Sequence, residues 1–357
     1  MKKSILGVAT VVAASTLLLA GCSAGGSGSG SSSSASSTAK AASKRACVIL
    51  PDTTSSPRWE NGDRPALNKA LTAAGFTADI QNAHNSVSTY ASIANSQLSK
   101  GCGVMLLVDL NGAGAQVLTK AHAQGVPVIA YDRPIPGAEY YVSFDNEKVG
   151  ELEGQMIVDG LNKEHKDLKT ASVVCMPGDP TDGNAAYFLK GALKAMNAAG
   201  VKCKFTAKGT WDATTSGTEF QQAYTALKGD IDAVWVANDA NDAAVVNVLN
   251  KYNKTVPTSG QDASIPGLQN ILLGKQYGTV YKPYQLEAGQ ASKIAIDLLK
   301  GQKPSAPTSQ SGVPAFLETP ILVTADKVEQ VVKDGNAQVS QICTGAVAAK
   351  CKQYGVQ

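Results

Sequence analysis

Asp132-Arg133 directly follows the apolar run Val128-Ile129-Ala130-Tyr131, and this placement recurs along the chain. Asn238-Asp239 follows Val234-Trp235-Val236-Ala237, Gln261-Asp262 lies beyond Val256, and Lys282 follows Val280-Tyr281. Asp182 and Asn184 sit in the loop after Val173-Val174-Cys175, and Arg58-Trp59 comes after the first apolar run. Carboxylates and amides accept hydrogen bonds from hydroxyl groups, while Arg, Lys and Asn donate them. The forked ends of Arg and Asp engage two neighbouring hydroxyls at once. Trp59 and Trp211 (the latter in the loop 209–217) offer aromatic faces to an apolar C–H surface, whereas Trp235 lies inside an apolar run and reads as core. Arg58, Arg133 and Lys282 nearly cancel Asp132, Asp182, Asp239 and Asp262, which suits a neutral polyol better than an ion. Each residue alone reads as a turn former or helix cap. Their recurrence after one apolar run after another makes them a site.

In open parallel sheets, ligands bind beyond the carboxyl ends of the strands. The chain supplies such sheets. Apolar runs near 47–50, 76–80, 104–108, 126–131 and 141–144 read as strands, separated by amphipathic stretches at 58–74, 86–100 and 112–124. The alternation then repeats, with strands at 171–175, 203–206, 233–237 and 280–281 and helices at 147–161, 187–199, 218–227, 241–252 and 286–299. Alternation of this kind implies parallel strands covered on both faces. The expected fold is α/β: two doubly wound parallel-sheet lobes of similar size, joined by a three-segment hinge. Residues 46–144 plus about 283–320 form the N-terminal lobe, and residues 145–282 plus about 321–357 form the C-terminal lobe and tail. The chain crosses near 145, near 280 and at 320–323.

The 357 residues are 43% hydrophobic and 17% charged, with a net charge of +3 and no long Lys/Arg run, so nucleic acid is not expected as a partner. The three histidines have no His or Cys at ligand spacing, and neither a metal nor a cofactor is expected. Met1-Lys2-Lys3 and the apolar stretch 5–19 read as a signal peptide over 1–21, too short to span a membrane. Leu19-Ala20-Gly21-Cys22 is like a bacterial lipobox, which makes Cys22 the expected lipidation site. Residues 22–45, mostly Ser, Gly and Ala, read as a tether of ~25 Å. Beyond Cys22 six cysteines remain, an even number suited to an oxidising compartment. Cys47 and Cys102 start neighbouring apolar runs, Cys175 and Cys203 lie in successive ones, and Cys343 and Cys351 close a tail loop. The expected pairs are Cys47–Cys102, Cys175–Cys203 and Cys343–Cys351, against an alternative of free buried thiols. No Gly-x-Ser-x-Gly elbow, His-Glu-x-x-His or phosphate loop suggests an enzyme.

From about 46 to 330 the chain resembles the sugar-binding branch of the type I periplasmic binding proteins, and within it the D-xylose-binding proteins of bacterial ABC importers. The resemblance rests on Arg58-Trp59, Ala130-Tyr131-Asp132-Arg133, the segment 143–152, Ala237-Asn238-Asp239-Ala240, Ser259-Gly260-Gln261-Asp262-Ala263 and Thr279-Val280-Tyr281-Lys282-Pro283. It implies that Arg58, Asp132 and Arg133 bond a sugar from one lobe, and Asp182, Asn184, Asn238, Asp262 and Lys282 from the other. Trp59 and Trp211 would stack on the ring, with Asp145, Asn146 and Asp239 as hinge or supporting residues. The six cysteines are not a feature of that family. The implied protein is a monomer, lipid-anchored outside the cell membrane, that hands a monosaccharide to an ABC permease by hinge closure. Delivery of glucose or arabinose, or signalling to a receptor kinase, would use the same fold. An export signal in place of a helix-turn-helix argues against a transcription regulator.

Overall fold

The computed structural model describes residues 43–357. The signal peptide, Cys22 and nearly all of the tether lie outside the described residues. In chain order the elements are β1 (Arg45–Leu50), a π-helical turn (Trp59–Asp63), α1 (Arg64–Ala73), β2 (Thr77–Asn82), α2 (Val87–Ser99), β3 (Val104–Leu107), α3 (Ala113–His122), β4 (Val128–Tyr131) and β5 (Tyr140–Phe144). Then come α4 (Asn146–Lys163), β6 (Val173–Met176), α5 (Gly183–Ala198), β7 (Cys203–Thr206), α6 (Ala213–Ala226), β8 (Ala233–Val236), α7 (Asp239–Lys251), α8 (Ile265–Leu272) and β9 (Thr279–Tyr281). The chain ends with α9 (Tyr284–Leu299), β10 (Thr308–Gln310), β11 (Val313–Glu318), β12 (Ile321–Val323), α10 (Val328–Lys333), α11 (Val339–Ile342) and α12 (Val347–Tyr354).

The first sheet has the order β10-β11-β5-β4-β3-β1-β2 and is parallel except for β10. Strand alternation feeds two cores. Cys47 and Ile49 point towards Tyr90 and Ala94 of α2 and Val117 of α3. Ala46, Val48 and Leu50 point towards Leu67 and Leu71 of α1 and Ala288, Ala291 and Ile294 of α9. The second assembly is smaller and interrupted, contrary to the expectation of two similar sheets. Three parallel strands, β7-β6-β8, are joined through two isolated bridges, Val234–Thr258 and Gln261–Val280, to the antiparallel pair β9–β12. The intervening segment carries Pro257 and Gly260, which break a regular ladder. The first sheet gains β10 and β11 instead. That hairpin turns at Ser311-Gly312, both with positive φ (51° and 77°), and its Pro314 hides the strand pattern in the sequence.

The chain passes between the sheets at Phe144–Asn146, Tyr281–Tyr284 and Glu318–Ile321. Asp145 N–H donates to the Glu318 carbonyl at 2.9 Å, so two of the crossings lie side by side. α5 and α6 begin four to five residues before their expected starts. Asp182 and Asp212 cap them, accepting from Asn184 N–H and Thr215 N–H. α4 and α5 pack with backbones in close approach. A Cβ on Gly150 would lie 2.0 Å from the Phe188 carbonyl oxygen, so only glycine fits. Disulfides join Cys47 to Cys102, Cys175 to Cys203 and Cys343 to Cys351. The last pins the tail helices, which pack on α8 and β9. Among the described residues, no helix is long and apolar enough to cross a membrane.

Candidate ligand-binding site

The carboxyl ends of both sets of strands open onto one cleft. The structure brings Arg58, Trp59, Asp132, Arg133, Asp182 and Asn184 to its lining, and with them Trp211, Asn238, Asp262 and Lys282. Ser55, Ser56, Phe188 and Gln261 complete it. The sequence offers little sign of these four. Phe188 sits on the apolar stripe of α5 and reads as core, and Gln261 is overshadowed by Asp262 beside it.

Arg58 is held by three carboxylates of the protein itself. Its Nε and one terminal nitrogen donate to the two oxygens of Asp63, each at 2.8 Å. The same nitrogen reaches Glu287 at 2.5 Å, and the other reaches Asp132 at 3.2 Å. Tyr131 hydroxyl also donates to Asp63. Burial alone would pull the Arg58 guanidinium down, but Asp63, Glu287 and Asp132 outweigh it and hold it well above the usual arginine value. The guanidinium also lies 4.8 Å from the centre of the Trp59 ring.

Arg133 and Asp182 meet from opposite lobes at 3.0 Å, and Arg133 also donates to the Asp109 carbonyl at 2.9 Å. Trp211 Nε1 donates to the same Asp182 oxygen that faces Arg133, Oδ2, at 3.0 Å, while Oδ1 accepts from Asn184 N–H. Its ring edge packs against Phe188. Lys282 faces Asp262 at 3.2 Å. Burial pulls the Lys282 ammonium down, yet Asp262 and Asp132 hold it above the usual lysine value. Asn238 caps α7 by accepting from Asn241 N–H, leaving its Nδ2 free to reach Ser55 carbonyl at 3.4 Å across the cleft. Asp132 and Asp262 both have left-handed backbone, with φ of 60° and 93°. Such strain costs ~1–3 kcal/mol and persists where the surroundings enforce it.

Asn184 lines the cleft but its amide is already engaged. Its Nδ2 donates to the Asp132 carbonyl at 2.9 Å, and its Oδ1 accepts from Tyr141 hydroxyl and Asn146 Nδ2. Asn146 thus belongs to a buried network where the chain first crosses, while Asp145 caps α4. Asp239 lies behind Asp262. It accepts from Gln276 Nε2 and Ser264 N–H, each at 2.8 Å, and so braces the loop that presents Asp262. Among the described residues, no cluster of His, Cys, Asp and Glu is arranged to hold a metal.

Burial pushes the Asp239 carboxyl up to about 7. Burial pushes Glu287 up to about 8, with Asp132 and Asp63 adding and Arg58 opposing. Both values lie above the ordinary carboxylate range, so the fold favours the protonated forms. The stability they contribute is full below about pH 4 and is lost as pH rises through about 7 and 8. The melting temperature is therefore expected to fall between about pH 4 and 8, and Glu287→Gln is expected to flatten that fall in a thermal scan at several pH values.

A family model described as the periplasmic binding protein domain matches residues 47–303. The chain belongs to the periplasmic binding protein family. Two binding-protein relatives carry the likeness through the described fold. The D-xylose-binding periplasmic protein of Escherichia coli (strain K12) is 33% identical over 300 residues, covering 80% of this chain and 88% of its own. The multiple sugar-binding periplasmic receptor ChvE of Rhizobium radiobacter is 30% identical, over 81% and 89%. Among solved binding-protein structures, an ABC transporter solute binding protein from Clostridium phytofermentans with bound β-D-glucose superposes with a TM-score of 0.75 at 27% identity, covering 84% of this chain and 99% of that one. Each is named for a ligand or a transport role, and none for a reaction.

Proposed function

We propose that this binding protein is exported, lipid-anchored at Cys22 to the outer face of the cell membrane, and captures a monosaccharide, D-xylose, for an ABC permease. It is not an enzyme. The observation that carries the reading is the convergence of hydrogen-bonding, charge-balanced side chains from both sheets: Arg58, Asp132 and Arg133 from one, Asp182, Asp262 and Lys282 from the other. A sugar that bonds both halves binds the closed form better and shifts the population towards it. The lobes are residues 46–144 with about 283–320, and 145–282 with about 321–357, hinged at the three crossings. Trp59 and Trp211 stack on the ring, and Asn184 and Asn238 align the two half-sites. The Leu19-Ala20-Gly21-Cys22 motif supports the anchor, and the residues 22–45 act as a tether.

Glucose is the second reading, favoured by the glucose-bound structure at 27% identity. Calorimetric titration with pentoses and hexoses, with Trp fluorescence in parallel, tests both. Micromolar or tighter binding of xylose is expected. Tight glucose binding without xylose binding replaces the ligand, and silence from every monosaccharide sinks the sugar reading.

Gly178 offers a sharper probe of the stacking ring. A Cβ there would lie 2.1 Å from the Trp211 ring. Gly178→Ala is therefore expected to push Trp211 from its seat, weaken sugar binding by up to about tenfold and alter Trp fluorescence.

A further inference from the structure

We infer that the site continues into a second saccharide subsite, so that a disaccharide spans the cleft and an adjoining groove; the inference rests on the sugar reading above. The groove is roomier than the cleft. Ser56, Arg58, Asp262 and Lys282 line both, so the two spaces meet at the residues that would hold the first sugar. Both lobes contribute to the groove: Asn61 and Tyr284 from one side, Ser264, Asn336 and Gln341 from the other. An occupant would therefore add to closure.

The lining specifies the chemistry. Beyond the four shared residues, no described lining side chain of the groove is charged. Sugar phosphates and uronates would meet only Arg58 and Lys282 there, and both are already paired with carboxylates. Amides and hydroxyls alternate with Tyr284, Ile265 and Pro266, a mixture that fits the hydroxyls and C–H faces of a neutral pyranose. Asn336 donates from Nδ2 to Tyr281 hydroxyl, while its Oδ1 is buried without a partner. A buried acceptor left unpaired is costly, and a turn of the Asn336 side chain towards the groove would let a sugar hydroxyl satisfy it. The far wall, residues 335–341, lies outside the segment 47–303 that the family model covers.

The test compares D-xylose with xylobiose, and D-glucose with cellobiose, by calorimetry on the full-length protein. At least one disaccharide is expected to bind as tightly as its monosaccharide or tighter. Asn336→Ala is expected to weaken the disaccharide by about tenfold and leave the monosaccharide within about twofold. Asn61→Trp, which fills the groove from the exposed side, is expected to give the same split without disturbing Tyr281. Monosaccharide binding with no disaccharide binding overturns the subsite and leaves the sugar reading intact. Equal losses for both ligands in both variants also overturn it. Failure of all four sugars overturns the subsite, and silence from the whole monosaccharide panel overturns the sugar reading with it.

Discussion

Arg133→Ala is expected to weaken sugar binding at least about thirtyfold, the largest single effect in the cleft. Removing one partner of a buried charge pair costs ~2–5 kcal/mol, because the other charge is left without compensation. Here the stranded group is Asp182, which sits across the cleft at 3.0 Å and is already pushed upward by burial, with Arg133 opposing that rise. The Asp109 carbonyl loses its donor as well. Arg133→Lys keeps the charge but not the planar fork, so it is expected to recover only part of the affinity. Calorimetry on the three proteins decides the matter: unchanged affinity in the alanine variant would remove Arg133 from the site.

Arg58→Ala is expected to act first on the fold. Asp63 and Glu287 are fully buried, and Arg58 is the cation that both contact. Stripping the cation from such a cluster costs ~3–5 kcal/mol. The loss should shrink at low pH, where the stranded carboxyls take up protons. Denaturant unfolding of wild type and variant at about pH 5 and 8 measures this directly. A loss below about 1 kcal/mol at both values would show that the cluster does not depend on its cation.

The two-lobe architecture was legible because strand runs such as Val128-Ile129-Ala130-Tyr131 and Val234-Trp235-Val236-Ala237 are buried on both faces, leaving continuous apolar segments. The cleft was legible for the same reason, since polar residues placed straight after such runs have nowhere to go but the sheet's carboxyl edge. What stayed hidden depends on distant packing. Glu287 reads as an ordinary polar position in α9, yet it reaches Arg58 because α9 covers the first sheet. Asp tolerates left-handed backbone better than most residues, but its type alone does not say that Asp132 and Asp262 adopt it. β10 and β11 were missed because Gly312 and Pro314 break their pattern. The expected equality of the sheets failed at Pro257 and Gly260, where a short, interrupted segment makes only bridges.

The place of β11 beside β5 bears on how the polypeptide is made. Residues 45–144 emerge first and carry four successive parallel pairings, but β5 remains a bare edge until residues far along the chain arrive to cover it. Such an edge invites pairing with other chains, and late, long-range pairings are the slow ones. Cys47 and Cys102 both belong to this early portion, so their cross-link can lock β1 to the approach of β3 while the edge is still open. On this view the disulfide matters most before the fold is complete, as a guard on a half-built sheet.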